Sequence, residues 1–289
     1  MCYPAARLGD MHTCPVVDPS GTPHVGGPVV GPCSSNVITE GLPATRLADK
    51  AICAGPLDVI AGGAAKVLIN GLPAVRLGVD TTVHGGMVTS PGASLVLIGG
   101  PAFALPSNFV IEGDPDFQNK LIRDLYFLST TRSGREVIDR LASSGQTITF
   151  VRTNDHNGYC SPEDGSRASS HQPTGSTIQY NPDYRSNAYD SSGNLIAQPP
   201  QVILEHEMCH AVHNAEGTHA YGTDPSPPPS EPSINEEEAQ TIGVGSHSSD
   251  YPTENTLRDD LGLPRRADHY GTGGPHAGEP APLDLRPGD

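Results

Sequence analysis

Apolar positions in the second half of the chain fall into two periods. In FQNKLIRDLYFL, residues 117–128, they recur at three- and four-residue intervals, which predicts a helix with one buried face. Asp114 and Asp116 put negative charge at its start, where a helix dipole favours it. A second helix is predicted over Ser133–Leu141. TITFVR at 147–152 and STIQY at 176–180 read as strands, and the Asn-, Gly-, Ser-, Pro- and His-rich stretch 153–175 reads as loop. A third helical run, VILEHEMCHAVH at 202–213, follows Pro199 and Pro200, and Gly217 is placed to end it. The proline-rich residues after it form an extended spacer or surface loop. TENTLRDDLGLP reads as one more helix and a turn, with Glu254 and Arg258 spaced to pair on its surface.

The first hundred residues follow a different rule. PAARLGD at 4–10 returns as PATRLAD at 43–49 and as PAVRLGVD at 73–80. Two copies carry longer lead-ins, NVITEGLPATRLAD and KVLINGLPAVRLGVD, each a short β-branched run before a Gly-Leu-Pro turn. Short strands and tight turns at this spacing predict a small all-β body. One copy cannot bury a core alone, so the copies should pack together.

Composition sharpens the division. The chain has 33 Gly, 29 Pro, no Trp and only 5% aromatic residues, so much of it must be turns and short strands. The net charge of -16 argues against nucleic acid or an anionic membrane as partner. Residues 1–100 hold 5 Lys and Arg against 6 Asp and Glu; the rest holds 12 against 27. The change supports a boundary near residue 100. We expect an all-β domain at 1–100, a linker at 101–109, an α+β domain at 110–270 and a disordered tail at 271–289. The six cysteines do not space as a disulfide framework, which leaves metal-bound or free thiols. The start MCYPAARLGD shows no basic and apolar leader, and no apolar run approaches the roughly 20 residues of a membrane span.

Candidate chemistry lies in both halves. His206 and His210 stand four apart in His-Glu-Met-Cys-His, so both imidazoles leave one helical face as two legs of a zinc site. Glu207 is placed to take a proton from water and pass it to a leaving amine. A third ligand must come from elsewhere, and NEEEAQTIG at 235–243 is the best source. His213 and His219 are weaker candidates, His213 for hydrogen bonding around the ligands. Cys209 reads as a small buried hydrophobe. In the first half, related places after each repeat give His12 and Cys14, Cys53, and His84, and His24 echoes His84. His12, His24, Cys53 and His84 would make a closed structural zinc site; Cys14, which aligns with Cys53, competes with His12.

Residues 1–100 resemble the PAAR-repeat proteins through PAAR itself at Pro4–Arg7, GDMHTC, PHVGG, GLPATRLADKAICAGPLDVI, LINGLPAVRLG and VHGGMV. Ala48 stands where that family has Gly, and Val79 is inserted before Asp80. The resemblance implies a β-cone that caps the VgrG-type spike trimer of a type VI secretion system. It also implies zinc held by three histidines and one cysteine, which favours His12 over Cys14. Such cones commonly carry an effector domain behind them.

Residues 110–270 resemble the effector metallopeptidases typified by NleD and, more distantly, the clostridial neurotoxin light chains. ILEHEMCHAVHN, EEEAQTIG and YPTENTLRDDLGLPRRADHY carry the likeness. It implies a zincin-like fold and matches His206, Glu207, His210 and His213 to the family motif. Alignment on Thr241 and Gly243 implies Glu237 as third zinc ligand, with Glu238 beside it and Glu236 as fallback. It further implies a catalytic Arg and Tyr, three residues apart, that face the metal and stabilise the oxyanion. Tyr270 and Arg266 take those places, although they are four apart rather than three, and Arg265 is the other choice. A strand next to the motif helix, here STIQY, is expected to line the substrate cleft and offer an edge to an extended peptide.

Together these features imply a type VI secretion effector, with a spike-tip module delivering a zinc endopeptidase toxin into a target cell. The expected cofactors are one catalytic and one structural zinc. The expected partners are the spike, a protein substrate and an immunity protein on the second domain. The protein is expected in the cytoplasm before firing and to leave by a leaderless, contact-dependent route. Two rival readings are a spike-tip protein with inert or binding-only cargo, and a zinc amidase acting on cell-wall peptides.

Overall fold

The computed structural model describes residues 1–154, 158–272 and 285–286. They form two compact units, one from Met1–Pro106, Gly113–Tyr126 and Arg286, the other from Ser107–Glu112 and the described residues of Phe127–Leu285.

The first unit is strand-rich, and its strands pair antiparallel. Its largest sheet runs in the order Val88–Ser90, Met11–His12, Gly26–Gly31, Lys50–Cys53, Asp58–Val59. Cys2–Ala5 pairs with Ala93–Gly99, and Gly62–Ile69 lies between Leu72–Ala74 and Ala102–Ala104. Ala102–Ala104 is therefore a strand within the expected linker.

The repeat has a local physical logic. In each copy the Asp carboxylate accepts from the backbone N–H of the preceding Arg: Asp10 from Arg7 at 2.6 Å, Asp49 from Arg46 at 2.6 Å, Asp80 from Arg76 at 2.7 Å. The residue between Leu and Asp turns the chain at positive φ, 86° at Gly9, 69° at Ala48 and 73° at Gly78. Ala48 thus keeps the turn at a conformation glycine adopts without cost. The inserted Val79 leaves the Asp80 contact intact. The core between the copies is small-residue and aliphatic, including Ala6, Val29, Ala51, Ile60, Val75 and Val88.

The helices are α1 Pro115–Thr130, α2 Arg132–Ser143, α3 Gly165–Ser169, α4 Pro200–Glu216, α5 Glu236–Ile242 and α6 Glu254–Asp260. The second unit has a four-stranded sheet in the order Phe109–Glu112, Ile148–Arg152, Ser176–Tyr180, Tyr159–Pro162. The first three are parallel and the last is antiparallel. STIQY is therefore an interior strand, and the edge beside it is Tyr159–Pro162.

That edge strand and α3 replace the loop expected over 153–175. YCSP carries no apolar alternation to announce a strand, and α3 is set by Asp164, whose carboxylate accepts from Ser166 N and Arg167 N.

The centre of the second unit is α4, which packs on the strands Ser176–Tyr180 and Tyr159–Pro162 and against α2, α5 and α6. Every residue from Pro200 to Ala215 is buried. A helix surrounded on all sides needs no amphipathic face, but each of its polar side chains must find a partner inside. Pro200 opens α4, and Gly217 closes it at φ 70°.

Of the expected tail, Gly271–Thr272 pairs with Ser186–Tyr189 and Arg286 pairs with the buried Asp124 at 2.9 Å. Residues 273–284 and 287–289 lie outside the described residues. Among the described residues no helix is long and apolar enough to cross a membrane.

Candidate metal centres

In the first unit the structure brings together Cys14, His24, Cys53 and His84. His24 Nδ1 lies 3.5 Å from Cys53 Sγ, and His84 Nδ1 lies 3.6 Å from Cys14 Sγ. A tetrahedral zinc, with bonds of about 2.3 Å to sulfur and about 2.0 Å to nitrogen, separates such ligands by about 3.5 Å. The donor set fits. The other His24 nitrogen, Nε2, meets Asp18 Oδ1 at 2.8 Å, which fixes the tautomer that presents Nδ1. Burial and the neighbouring Cys14 push the Cys53 thiol up to about 12, a preference that a cation between the two sulfurs reverses.

His12, expected as a ligand, is not in this group, and Cys14 is. Its strand ends at His12, and the ring turns inward. There Nδ1 donates to Gly27 O at 2.8 Å while Nε2 faces Asp58 Oδ2 at 3.3 Å. Cys14, beyond the strand end, takes the place beside His84.

In the second unit three carboxylates surround the α4 histidines. His206 Nε2 and His210 Nε2 face the Glu238 carboxylate at 3.4 and 3.6 Å. Zinc ligated by nitrogen and oxygen at about 2.0–2.1 Å spaces them by about 3.4 Å. Glu238 Oε2 is buried without a hydrogen-bond partner among the described residues. These three residues fit a zinc site.

The opposite ring nitrogens are also held. His206 Nδ1 meets Glu254 Oε2 at 2.9 Å, and His210 Nδ1 meets Glu237 Oε1 at 2.8 Å. Carboxylates on the far nitrogens orient imidazoles as metal ligands. Glu237, expected as the third ligand, accepts from His210, from His213 Nδ1 at 2.7 Å and from Ala220 N at 2.8 Å, and with His210 and His213 it forms a second group whose donor atoms could hold a cation. The different surroundings of the two carboxylates follow from α5. Asn235 caps it, which puts Glu236, Glu237 and Glu238 in its first turn at steps of about 100°, so they point to different faces. Glu236 faces His247 at 3.8 Å. His219 lies 3.7 Å from Glu237 Oε1.

Electrostatics agree. Burial works against the charged form of every group here, yet the paired imidazoles hold Glu237 down to about 2 and Glu238 lower still. Burial likewise opposes a charged His206, but Glu238 and Glu254 raise it to about 9. Carboxylates that favour a proton on these rings equally favour a divalent cation between them.

Glu207 is buried on the same helix, and burial raises its carboxyl above the usual range. A Cβ on Gly158 would lie 2.8 Å from Glu207 Oε1, so the residue leading into the edge strand must be small for Glu207 to fit.

Two features went unseen in the sequence. Glu254 is not a surface partner of Arg258. Both are fully buried, and Glu254 binds His206, Arg258 Nε at 2.8 Å and Arg266 Nη1 at 2.9 Å. The second is His269, whose Nε2 lies 3.5 Å from Glu238 Oε2. Tyr270, expected to face the metal, is 54% exposed, and Arg266 is buried behind Glu254. Arg265 pairs with Asp259 on the surface. Cys209 is buried, as expected, and all six cysteines are free thiols.

A family model for the peptidase M91 effector proteins matches residues 106–270. The chain belongs to the peptidase M91 effector family. In this M91 chain a second model, the PAAR motif, matches residues 20–90. The M91 protein is also similar to solved botulinum neurotoxin light chains. That of serotype G is 14% identical at a TM-score of 0.36, over 51% of this chain and 48% of the light chain. The Clostridium botulinum serotype F light chain is 10% identical at 0.34, over 45% and 44%. The serotype C light chain in its zinc-removed form is 19% identical at 0.32, over 39% of each. The M91 chain thus spans less than half the length of those light chains. No curated protein matches it.

Proposed function

We propose that this chain is a spike-tip effector in which a PAAR unit delivers a zinc endopeptidase by type VI secretion. The observation that carries the peptidase reading is the convergence of His206 Nε2, His210 Nε2 and Glu238 beside Glu207 on the buried α4. His206, His210 and Glu238 would hold zinc, which when bound activates water and polarises the scissile carbonyl. Glu207 takes the proton of the attacking water and passes it to the leaving amine. Glu254 and Glu237 keep the two imidazoles in the tautomer that presents Nε2. Arg258 and Arg266 neutralise Glu254, so a buried carboxylate can do this without an uncompensated charge.

In the first unit, Cys14, His24, Cys53 and His84 would hold the second zinc with four protein donors, a structural site with no position left for substrate. The PAAR motif supports docking of this unit on a VgrG-type spike and delivery by type VI secretion, and an immunity protein for the second domain belongs to the same proposal where sibling cells are targets. Domain limits of 1–100 and 110–270 for the two modules remain part of this proposal.

The test is expression of the full chain in target cells, directed in separate strains to the cytosol and the periplasm. Wild type is compared with Glu207→Ala, and zinc is measured on both purified proteins. We expect toxicity and new protein fragments from wild type alone, at equal zinc content. Equal toxicity from both proteins would reject the peptidase reading.

A further inference from the structure

His269 has no part in the reading above, yet the structure ties it to the site from three sides. Its amide donates to Glu231 Oε2 at 2.6 Å. Its carbonyl accepts from Arg266 Nη2 at 2.7 Å. Its Nε2 stands 3.5 Å from Glu238 Oε2. Because Arg266 Nη1 donates to Glu254 Oε2 and Glu254 holds His206 Nδ1, the contacts close a circuit: His206, Glu254, Arg266, His269, Glu238 and back to His206. A side chain on such a circuit is positioned, although it is itself 51% exposed. The His206–His210–Glu238 group closes without it, so the ring borders the group from the solvent side and does not complete it. Solvent-side placement is what a substrate can reach. Tyr270, one residue on, makes no polar contact with the group among the described residues.

We propose that His269 is a further catalytic residue, whose imidazole N–H donates to the oxygen of the peptide carbonyl under attack. The proposal rests on the metallopeptidase reading of the same site. The developing negative charge on that oxygen needs a donor held in place beforehand. His269 supplies it, and Arg266, which holds the His269 carbonyl, acts as a positioning residue.

The test uses the zinc-loaded full chain and acetohydroxamate, a small anionic probe for an open zinc position, titrated by calorimetry. Metal content is measured in parallel. Wild type should hold two zinc ions, and Glu238→Ala one. His269→Ala should keep both zinc ions and bind acetohydroxamate about ten- to a hundredfold more weakly, the loss of one hydrogen bond to a charged group. His269→Gln, which retains a side-chain N–H, should recover part of the affinity. Unchanged affinity in His269→Ala overturns the proposal, as does loss of the second zinc, which would make His269 a ligand. Weakening by Tyr270→Phe with none by His269→Ala overturns it too. A wild type with one zinc, or Glu238→Ala with two, overturns the metallopeptidase site itself and is recognisable as such.

Discussion

The two histidine clusters differ in what surrounds their donors. In the first unit, four donors from separated turns converge, two of them thiols, and the buried Asp58 carboxylate lies 3.6 Å from His84 Nδ1 outside the set. In the second, two imidazoles and one carboxylate converge, with Glu207 on the same helix and His269 at the rim. The first arrangement uses every ligand position on protein atoms and suits a staple; the second leaves one for chemistry. The supporting groups differ too. Asp18, which holds His24, is half exposed, whereas Glu254, which holds His206, is fully buried between two arginines. A staple tolerates a loose support. A reacting centre needs orientation fixed before substrate arrives.

The largest effect should separate the clusters by kind. Glu207→Gln is expected to lower cleavage by about 10²–10⁴-fold, the usual worth of a general base, with zinc content and melting temperature held. Cys53→Ser is expected to do the reverse, losing one zinc and lowering the melting temperature while cleavage survives. Peptidase assays, elemental analysis and calorimetry on the two variants check both. A Cys53→Ser chain that kept two zinc ions would break the comparison at its first-unit end.

Much of this contrast was legible in the letters, and what was missed has physical causes. The His206–Glu207–His210 spacing needs only helical geometry, and the repeat announced an all-β unit with a metal cluster. The letters could not rank Glu237 against Glu238, because neighbours in a helix point about 100° apart and their roles depend on how α5 lies against α4. His12 was preferred over Cys14 because the strand end after His12, which turns the ring toward Asp58, leaves no mark in sequence. Glu254 and Arg258 fit the pattern of an exposed pair, since spacing says nothing about burial. The edge strand Tyr159–Pro162 and His269 sit in polar stretches without hydrophobic period.

Next in size are the supports. Glu254→Gln should weaken zinc at the second site by about 10–100-fold. Removal of one member from a buried ionic group also costs about 3–5 kcal/mol, because Arg258 and Arg266 lose their counter-charge. Asp18→Asn, at a half-exposed position, should cost less than about 1 kcal/mol in zinc binding. Competition of each variant with a calibrated chelator gives both numbers, and equal losses would erase the distinction between loose and rigid support.

The smallest effect concerns the histidine that the first cluster leaves out. His12 is raised above its ordinary value: burial opposes its charge, but the Asp58 carboxylate and the Gly27 carbonyl outweigh that. Asp58 is lowered, as its bonds from His12, Thr82 and the His84 amide overcome the cost of burial. The signs run in opposite directions. The raised His12 contributes stability fully present below its unfolded value of about 6.5 and lost as pH rises through the folded value. The lowered Asp58 contributes stability present above about 3.9 and lost as pH falls through its folded value. The metal-free chain should therefore be most stable between these limits, with the first unit's melting temperature declining on both sides. Asp58→Asn removes the carboxylate that sets both shifts, so it should flatten the profile and lower it within the window. Thermal melts of the two metal-free proteins across pH decide this. An unaltered profile in Asp58→Asn would show that His12 is held by Gly27 alone, and that its exclusion from the cluster owes nothing to charge.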